Sequence, residues 1–207
     1  MPKHDGRIQR VYSMAIYAPR DWMVLLIGGP SGTGKSSIAY EISRFYGVSV
    51  LEADDIYLSV KAMTDSGCLP AIHRWDGGED WQAAGIQSNV SWLIDVGREM
   101  IPALKALVQR HIEDKVPVII EGDFVSPDLV ALLDRPLARA VFLQDDIPQI
   151  VENYMAREGG EPQRFRAEVS AAYGRWIEGV CGLTGCPVIA ARPWETALTR
   201  VLDALSV

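Results

Sequence analysis

The sequence is poor in the features that mark secreted, membrane-spanning and nucleic-acid-binding proteins. Its three cysteines, Cys68, Cys181 and Cys186, are odd in number and lack metal-ligand spacing, which argues against a disulfide framework and predicts reduced thiols. No apolar run approaches the roughly 20 residues that cross a bilayer. Lysine and arginine total 20 against 27 acidic residues, and the net charge of −7 argues against nucleic acid or a membrane surface as a partner. We therefore expect a cytoplasmic protein.

What the chain does contain is a regular alternation of short apolar runs and helical patterns. A length of 207 residues is enough for one domain with a modest insertion. The apolar runs are continuous, as expected of strands buried on both faces of a parallel sheet. The pattern predicts an α/β fold with a five-stranded parallel sheet flanked by helices. The predicted strands are Met23–Ile27, Val48–Ala53, Val116–Glu121, Ala138–Leu143 and Pro187–Ala191.

The segments between these strands define the organisation of the domain. Residues 1–20 form an N-terminal arm, either partly ordered or added to the sheet as an edge strand, and residues 21–207 form a single domain. We expect a helical insertion at about residues 55–114 and a short lid at about residues 157–166. The predicted helices are Lys35–Tyr46, Trp81–Asp114 (one helix that bends near Pro102, or two), Ile147–Glu158, Arg164–Val180 and Trp194–Leu205.

A complete phosphate-binding motif follows the first predicted strand. Residues 29–36 read GPSGTGKS and match G-x-x-x-x-G-K-[ST], the P-loop or Walker A motif, between a strand and a helix. Glycines let backbone N–H groups approach phosphate oxygens, and the following helix turns its positive end toward them. Lys35 would contact the β- and γ-phosphates of a nucleoside triphosphate, and the Ser36 hydroxyl a Mg²⁺ ion. The predicted nucleotide-binding residues are Gly29, Ser31, Gly32, Thr33, Gly34, Lys35, Ser36 and Ser37.

Acidic residues follow the second and third predicted strands. Asp54 and Asp55 come after the second strand, and Glu121 ends the third, with Asp123 two residues later. Ligands of open α/β sheets bind beyond the carboxyl ends of the strands. Because phosphoryl transfer needs a carboxylate for the acceptor proton and oxygen ligands for Mg²⁺, we assign Asp54 as the base and Glu121 as the metal contact. The division of these two roles among Asp54, Asp55, Glu121 and Asp123 stays open at this point. Alternatively, Asp54 or Asp55 caps the next helix, and Asp123 caps the turn before Pro127.

Three stretches resemble the P-loop small-molecule kinases related to adenylate kinase, and most closely the 2-phosphoglycerate kinase-like group. They are IGGPSGTGKSSIA at residues 27–39, VIIEGDFVSPDLV at residues 118–130, and a segment that runs from Val141 through YMAREGGEPQRF to CPVIA. Together they cover most of residues 22–207. The resemblance implies an ATP-dependent kinase that uses Mg²⁺, holds a small-molecule acceptor in the insertion, and contacts adenine near Arg192–Trp194.

The chain also differs from that group. Residues 54–57, DDIY, are similar to the Asp-Asp-aromatic turn of uridine kinase and nicotinamide riboside kinase relatives, in which the first aspartate is a base or metal contact. The 2-phosphoglycerate kinase-like pattern has a basic or histidine residue and an arginine early in the helix before the lid. This chain has Glu152, Asn153 and Tyr154 there. The difference argues against a phosphorylated acceptor and leaves the kinase chemistry in place.

The lid and the insertion supply further candidate residues. Arg157 and Arg164 flank a polar turn, where closing cations would stabilise transition-state charge; the alternative is an exposed helix surface. In the insertion, the stretch HRWDGG combines a cation, an aromatic ring and a flexible glycine pair. The predicted acceptor contacts are Asp55, Arg74 and Trp75. Trp81 and Trp92 are expected on one face of a helix, as core residues.

The sequence thus predicts a kinase that transfers the γ-phosphate of ATP to a hydroxyl of a small molecule. A second interpretation is a nucleotide-dependent regulatory ATPase or switch, in which hydrolysis acts on a partner and no acceptor is needed. A third, an antibiotic-modifying phosphotransferase, has the same chemistry with another acceptor. The short chain favours a kinase, and the dependence of ATP turnover on an added metabolite would separate the first two. The identity of the acceptor and the oligomeric state stay open.

Overall fold

The predicted parallel sheet is confirmed by the structure, a computed structural model that describes residues 17–133 and 136–205. The strands are β1 (Val24–Gly28), β2 (Ser49–Glu52), β3 (Val118–Glu121), β4 (Ala138–Gln144) and β5 (Val188–Ala190). They lie in the order β2-β3-β1-β4-β5, and each neighbouring pair is parallel.

Strand β1 lies at the centre of the sheet because its side chains are apolar on both faces. All five of its residues are buried, and it pairs with β3 on one side and β4 on the other. In this register Ile27 is opposite Glu121 and Gly28 is opposite Phe142. The carboxyl ends of the three central strands therefore lie side by side, which is where ligands bind in this class of sheet.

Helices cover both faces of the sheet. They are α1 (Lys35–Tyr46), α2 (Ala53–Met63), α3 (Ile86–Asp114), α4 (Pro127–Val130), α5 (Ile147–Glu158), α6 (Arg164–Thr184) and α7 (Ala197–Leu205), with a 3-10 turn at Trp194–Thr196. On one face α1 and α7 bury Ile42 and Val201 against the sheet. On the other face α3 and α6 bury Met100 and Tyr173. Each such side chain contributes about 1.5–3 kcal/mol by its burial.

The first helix of the insertion begins earlier than the capping interpretation requires. Helix α2 starts at Ala53, and its N-cap is Glu52, whose side chain makes no capping hydrogen bond. Asp54 and Asp55 lie in the first turn. The interpretation of either aspartate as the cap is therefore wrong, although both carboxylates still lie near the positive end of the helix.

The second helix of the insertion begins later than predicted. Gly85, with a φ of 80°, precedes α3, which then runs through Pro102 as one helix of 29 residues. Trp81 lies in the turns before α3, so it does not share a helical face with Trp92 as the sequence suggested. Pro102 is exposed, and its ring therefore meets solvent at this point of the helix.

Two short polar segments cap helices. The carboxylate of Asp146 accepts a hydrogen bond from the Gln149 N–H at 2.9 Å and thereby caps α5. Helix α4 is capped by the Ser126 hydroxyl, which accepts from the Leu129 N–H at 3.3 Å. Asp123 is therefore not the cap before Pro127, and its carboxylate is available to the site described below.

The expected N-terminal arm falls mainly on residues 1–16, outside the described residues. Residues 17–20 have no regular secondary structure, and the Ala18 N–H donates to the Phe45 carbonyl at 3.2 Å. Among the helices of residues 17–133 and 136–205, none is both long and apolar enough to cross a membrane.

Candidate active site

The P-loop needs glycine at both of its ends. Gly29 has a φ of 133°, and a Cβ there would lie 2.3 Å from the carbonyl oxygen of Leu143. Gly34 has a φ of 85°, and a Cβ there would lie 2.7 Å from the Trp194 ring. Residues other than glycine rarely adopt such angles and would also overlap these neighbours. The motif is therefore a tightly placed loop between β1 and α1, as predicted.

Helix α1 begins with donors that no side chain satisfies. Its N-cap is Gly34, which has no side chain to cap the helix, and its first turn contains no acidic residue. The first N–H groups of an α-helix lack intrahelical partners, and they carry the positive end of the helix dipole. This uncapped end, next to a loop in which three of six residues are glycines without a Cβ, fits a phosphate group.

Lys35 is buried and committed to two acceptors in the structure. Its ammonium donates to the Pro30 carbonyl at 2.8 Å and to the Asp123 carboxylate at 2.7 Å. Only 6 % of the side chain is exposed, and Asp123 is 24 % exposed. The pair places the P-loop cation at the end of β3, within the cleft where the phosphates of a nucleotide would lie.

Ser36 and Glu121 meet at the same end of the sheet. The Ser36 hydroxyl donates to the Glu121 carboxylate at 2.8 Å. Burial raises the pKa of Glu121, while this hydrogen bond and the charge of Lys35 lower it in part. Two oxygen groups suit Mg²⁺, which takes few protein ligands and completes its shell with phosphate and water. The described residues contain no cluster of three or more His, Cys, Asp and Glu that could hold a metal without such help.

Asp54 faces the same cleft from the first turn of α2. It is exposed to the solvent of the open cleft, yet the surrounding walls and the nearby charge of Asp123 raise its pKa to about 6, against the lowering effect of Lys35. A carboxylate with this pKa is ionised at neutral pH and holds a proton more readily than an ordinary aspartate. These properties suit a general base.

These groups line one cleft of about 610 Å³, here called the phosphate cleft. Its lining includes Ser31, Gly32, Gly34, Lys35, Ser36, Ser37, Glu52, Asp54, Glu121, Asp123, Asn153, Arg157, Arg192 and Trp194. Two predicted nucleotide contacts are missing from its wall. Gly29 is buried beneath the loop, and the Thr33 hydroxyl donates to the Pro30 carbonyl at 2.9 Å, so its side chain braces the loop from inside.

The far wall of the phosphate cleft comes from α5 and from the loop after β5. The Asn153 amide donates to the Gly32 carbonyl at 2.6 Å and accepts from the Arg192 guanidinium at 3.1 Å. The Arg192 guanidinium also lies 5.5 Å from the centre of the Trp194 ring. The loop thus presents a flat ring and a cation beside the P-loop, a surface suited to a nucleobase.

The lid arginines occupy different places. Arg157 lines the phosphate cleft and pairs with Glu158 at 2.5 Å. Arg166 pairs with the same carboxylate at 3.0 Å and stacks over the Tyr154 ring at 4.2 Å. Arg164 is exposed at the start of α6 and does not line the cleft. The amide of Gln163, together with the two paired arginines, lowers the pKa of Glu158 to about 2.

A second cavity of about 420 Å³, here called the tryptophan cavity, lies next to the phosphate cleft. Ser31 and Asp123 line both spaces, so the two are neighbours at the end of β3. Its wall includes six aromatic side chains: Trp75, Trp81, Trp92, Phe124, Tyr154 and Tyr173. Trp75 was predicted as an acceptor contact, whereas Trp81 and Trp92 were predicted as core.

The other two predicted acceptor contacts lie outside both spaces. The Arg74 guanidinium donates to the Ser88 hydroxyl at 2.6 Å and lies 4.8 Å from the centre of the Trp75 ring, so it braces this ring from outside. Asp55 lines a shallow groove with Ile56 and Met63 instead of the phosphate cleft. A helix carries successive residues about 100° apart, and the side chain after Asp54 therefore points away from it.

Sequence reasoning missed two contacts that hold the P-loop. It ranked Asp123 below Glu121 because Asp123 could cap a turn, although that carboxylate binds Lys35. It noted Asn153 only as a departure from a family pattern, although its amide binds Gly32. The signal for Asp123 was its position just beyond the end of a strand that neighbours β1.

No protein-family model matches the chain. It is 31% identical to the 2-phosphoglycerate kinase of Pyrococcus horikoshii over 119 residues, which are 52% of this chain and 37% of that protein. It is 30% identical to the 2-phosphoglycerate kinase of Pyrococcus furiosus over 121 residues, which are 53% of this chain and 38% of that protein. The match therefore spans well under half the length of these curated relatives.

A solved gluconokinase from Sinorhizobium meliloti superposes on the chain with a TM-score of 0.53, covering 90% of this chain and 92% of that one at 16% sequence identity. At this identity the likeness shows the fold alone. The resemblance seen in the sequence is confirmed: the chain has the fold of the P-loop kinases, and its sequence is similar to that of 2-phosphoglycerate kinases.

Proposed function

We propose that the protein is an ATP-dependent kinase that transfers the γ-phosphate to a hydroxyl of a small-molecule acceptor. The observation that carries this proposal is the adjacency of two spaces of different character. One has a P-loop, a buried lysine and paired oxygen groups for Mg²⁺, and the other is a pocket with aromatic walls that meets it at Asp123. The kinase names of the sequence relatives support the same reaction type.

Each group of residues in the phosphate cleft has a separate role in the proposed phosphoryl transfer. The P-loop and the start of α1 bind the phosphates, and Lys35 leaves Asp123 to neutralise their charge. Ser36 and Glu121 would hold Mg²⁺, directly or through water. Asp54 takes the proton of the acceptor hydroxyl. The acceptor oxygen forms a bond to the γ-phosphorus as the bond to the bridging oxygen breaks, so ADP and a phosphate ester are the products.

The lid completes this assignment. We assign Arg157 and Arg164 to charge stabilisation, because a lid closing over the phosphates would bring cations to the oxygens on which charge develops. Arg157 already lines the phosphate cleft, whereas Arg164 would reach it only by moving with the lid. Residues 21–207 act as one catalytic domain in this proposal. We place it in the cytoplasm, where ATP is abundant and where cysteines such as Cys68, Cys181 and Cys186, which the structure does not join in disulfides, would stay reduced.

A regulatory ATPase would use the same phosphate cleft but would not need a second pocket. The tryptophan cavity next to the cleft favours the kinase, since it gives an acceptor a place within reach of the transferred group. We identify no feature of the described residues that favours the ATPase in the same way.

The test is ATP turnover by the wild-type protein and by Lys35→Met, measured as ADP release with a panel of hydroxyl metabolites that includes 2-phosphoglycerate and gluconate. We expect turnover to depend on an acceptor and to fall at least about 100-fold in Lys35→Met. Lys105→Met is the matched control, because Lys105 lies on α3 and lines neither space. Acceptor-independent hydrolysis, or an active Lys35→Met protein, would contradict the proposal.

A further inference from the structure

The tryptophan cavity has a wall that suits a flat, apolar molecule. Trp75 and Trp92 meet edge to face with their ring centres 5.9 Å apart, and Trp81 packs on Phe165 at 5.3 Å. Rings held in this way are rigid and present wide apolar faces. A volume of about 420 Å³ is typical of pockets that enclose small organic ligands.

The charges that reach this cavity are already paired. Asp123 binds Lys35 at 2.7 Å, and Arg166 binds Glu158 at 3.0 Å. Arg166 is the one basic side chain that lines the cavity in the part of the chain that the structure describes. A phosphorylated or carboxylated acceptor would lose its water without gaining an uncommitted cation, and this loss is costly in an apolar pocket.

Several polar groups of the wall already have hydrogen-bond partners. The Trp92 indole N–H donates to the Ala71 carbonyl at 2.9 Å, and the Tyr154 and Ser170 hydroxyls pair at 2.9 Å. The Tyr173 hydroxyl donates to the Asp123 carbonyl at 3.2 Å. The Trp75 indole nitrogen is buried and has no hydrogen-bond partner among the described residues. Buried donors are rarely left unpaired, so this N–H is a group that a ligand would satisfy once the atoms that cover it in the empty cavity move aside.

We infer that the tryptophan cavity holds the phosphoryl acceptor, and that this acceptor is an uncharged alcohol with an aromatic or similarly flat body. A hydrogen-bond acceptor on that body binds the Trp75 N–H, and the hydroxyl lies at the Asp123 end, where the cavity meets the phosphate cleft. This inference rests on the proposed kinase function and narrows its substrate class. Transfer forms the bond from the alcohol oxygen to the γ-phosphorus and releases ADP, with the hydroxyl proton passing to Asp54.

The experiment uses the indole N–H signals of the six tryptophans in ¹⁵N-labelled protein, assigned with single Trp→Phe variants. The probes are the isomeric hydroxymethylquinolines and the matched naphthalenemethanols, which differ only in the ring nitrogen. We expect them to shift the signals of Trp75, Trp81 and Trp92. ADP·Mg²⁺ should instead shift Trp194, and Trp22, which is 2 % exposed in the other half of the core, should respond to neither.

Trp75→Phe separates the hydrogen bond from the ring. One hydrogen bond corresponds to roughly a tenfold change in Kd, so at least one quinoline should bind about tenfold more tightly than its naphthalene counterpart. Trp75→Phe should remove that difference, whereas Trp176→Phe, whose residue lines neither space, should keep it. The same quinoline should stimulate ADP release and be recovered as its phosphate ester.

Charged acceptors test whether the inferred class of acceptor is wrong. If 2-phosphoglycerate or choline is phosphorylated and no quinoline or naphthalene alcohol moves the Trp75, Trp81 and Trp92 signals, the acceptor class inferred here is wrong while the kinase function stands. The inference is equally overturned if the quinolines bind with an affinity that Trp75→Phe leaves unchanged. Absence of a Trp194 shift with ADP·Mg²⁺, together with absence of turnover, would instead remove the proposed kinase function itself.

Discussion

At the scale of single residues, the environment of Asp54 makes a kinetic prediction. Its pKa is raised to about 6, chiefly because the surrounding walls of the phosphate cleft limit its hydration, so the ionised base is lost as the pH falls through that value. We expect kcat/KM of the wild-type protein to rise with pH through about 6 and then level off. Asp54→Asn should lower the plateau at least about 100-fold while ADP·Mg²⁺ still binds. Rate measurements from pH 5 to 8 test both expectations.

The same shift predicts an effect on stability. A carboxyl whose pKa is higher in the folded state than in the unfolded chain favours folding when protonated, so its contribution is lost as the pH rises from 3.8 through about 6. Asp54→Asn should therefore raise the unfolding midpoint of the nucleotide-free protein at pH 8 and change it little at pH 4. Urea unfolding at the two pH values measures this. A variant that is stabilised equally at both would show that the charge of Asp54 is not responsible.

Glu121 should act through the metal. We expect Glu121→Gln to raise the Mg²⁺ concentration needed for half-maximal turnover by about tenfold, because a neutral amide oxygen is a weaker ligand than a carboxylate. Glu52→Gln is the control, since Glu52 lines the same cleft but accepts a hydrogen bond from Tyr40 at 2.7 Å. Mg²⁺ titrations of the rate and of ADP binding separate the two. If Asp54→Asn shows the Mg²⁺ defect and Glu121→Gln does not, the two roles are exchanged.

At the scale of elements, the sequence predicted the parts whose signals are local. Helix α1 begins and ends where predicted, because the P-loop precedes it and Gly47 ends it with a φ of 64°. Helix α5 likewise follows its Asp146 cap. The contacts of the site could not be predicted in the same way, because they join residues that are far apart in the sequence. Lys35 and Asp123 are 88 residues apart, and Asn153 and Gly32 are 121 apart, so no local pattern encodes them.

The start of α3 is a further feature that the sequence pattern alone did not predict correctly. The apolar period continues upstream to Trp81, and the sequence therefore suggested a helix from that residue. Gly85 at a φ of 80° instead precedes the first helical residue, and the turns before it direct Trp81 into the tryptophan cavity. Burial alone cannot tell a core tryptophan from one that lines a pocket, because both are apolar and partly hidden.

The lid carries a prediction of its own. Arg157→Ala and Arg164→Ala should each lower kcat more than they weaken nucleotide affinity, because a cation that closes over the phosphates acts mainly on developing charge. The effect should be larger for Arg157, which already lines the phosphate cleft. Arg110→Ala, at a surface pair with Asp114, is the control. Steady-state rates and calorimetry with ADP·Mg²⁺ distinguish the two parameters, and unchanged kcat in both lid variants would assign these arginines to the helix surface.

At the scale of the whole molecule, nucleotide binding should couple to global stability through the P-loop. A ligand at 100 times its Kd stabilises the folded state by about 2.7 kcal/mol, which corresponds to a rise in Tm of roughly 5–10 °C for a domain of this size. We expect ADP·Mg²⁺ to produce such a rise in the wild-type protein. Gly34→Ala should abolish it, because the new Cβ would lie 2.7 Å from the Trp194 ring at a φ of 85°.

Gly179→Ala is the matched control for Gly34→Ala. It adds the same methyl group at a helical position where the structure leaves space for it. Gly179 lies in α6 with no atom near its would-be Cβ, so alanine there should raise Tm of the free protein slightly through its better helix propensity. Its shift with ADP·Mg²⁺ should match that of the wild type. Thermal unfolding of the three proteins, with and without ADP·Mg²⁺, gives all six midpoints. A full nucleotide shift in Gly34→Ala would mean that the nucleotide does not bind at the P-loop, since the altered loop could not then be its site.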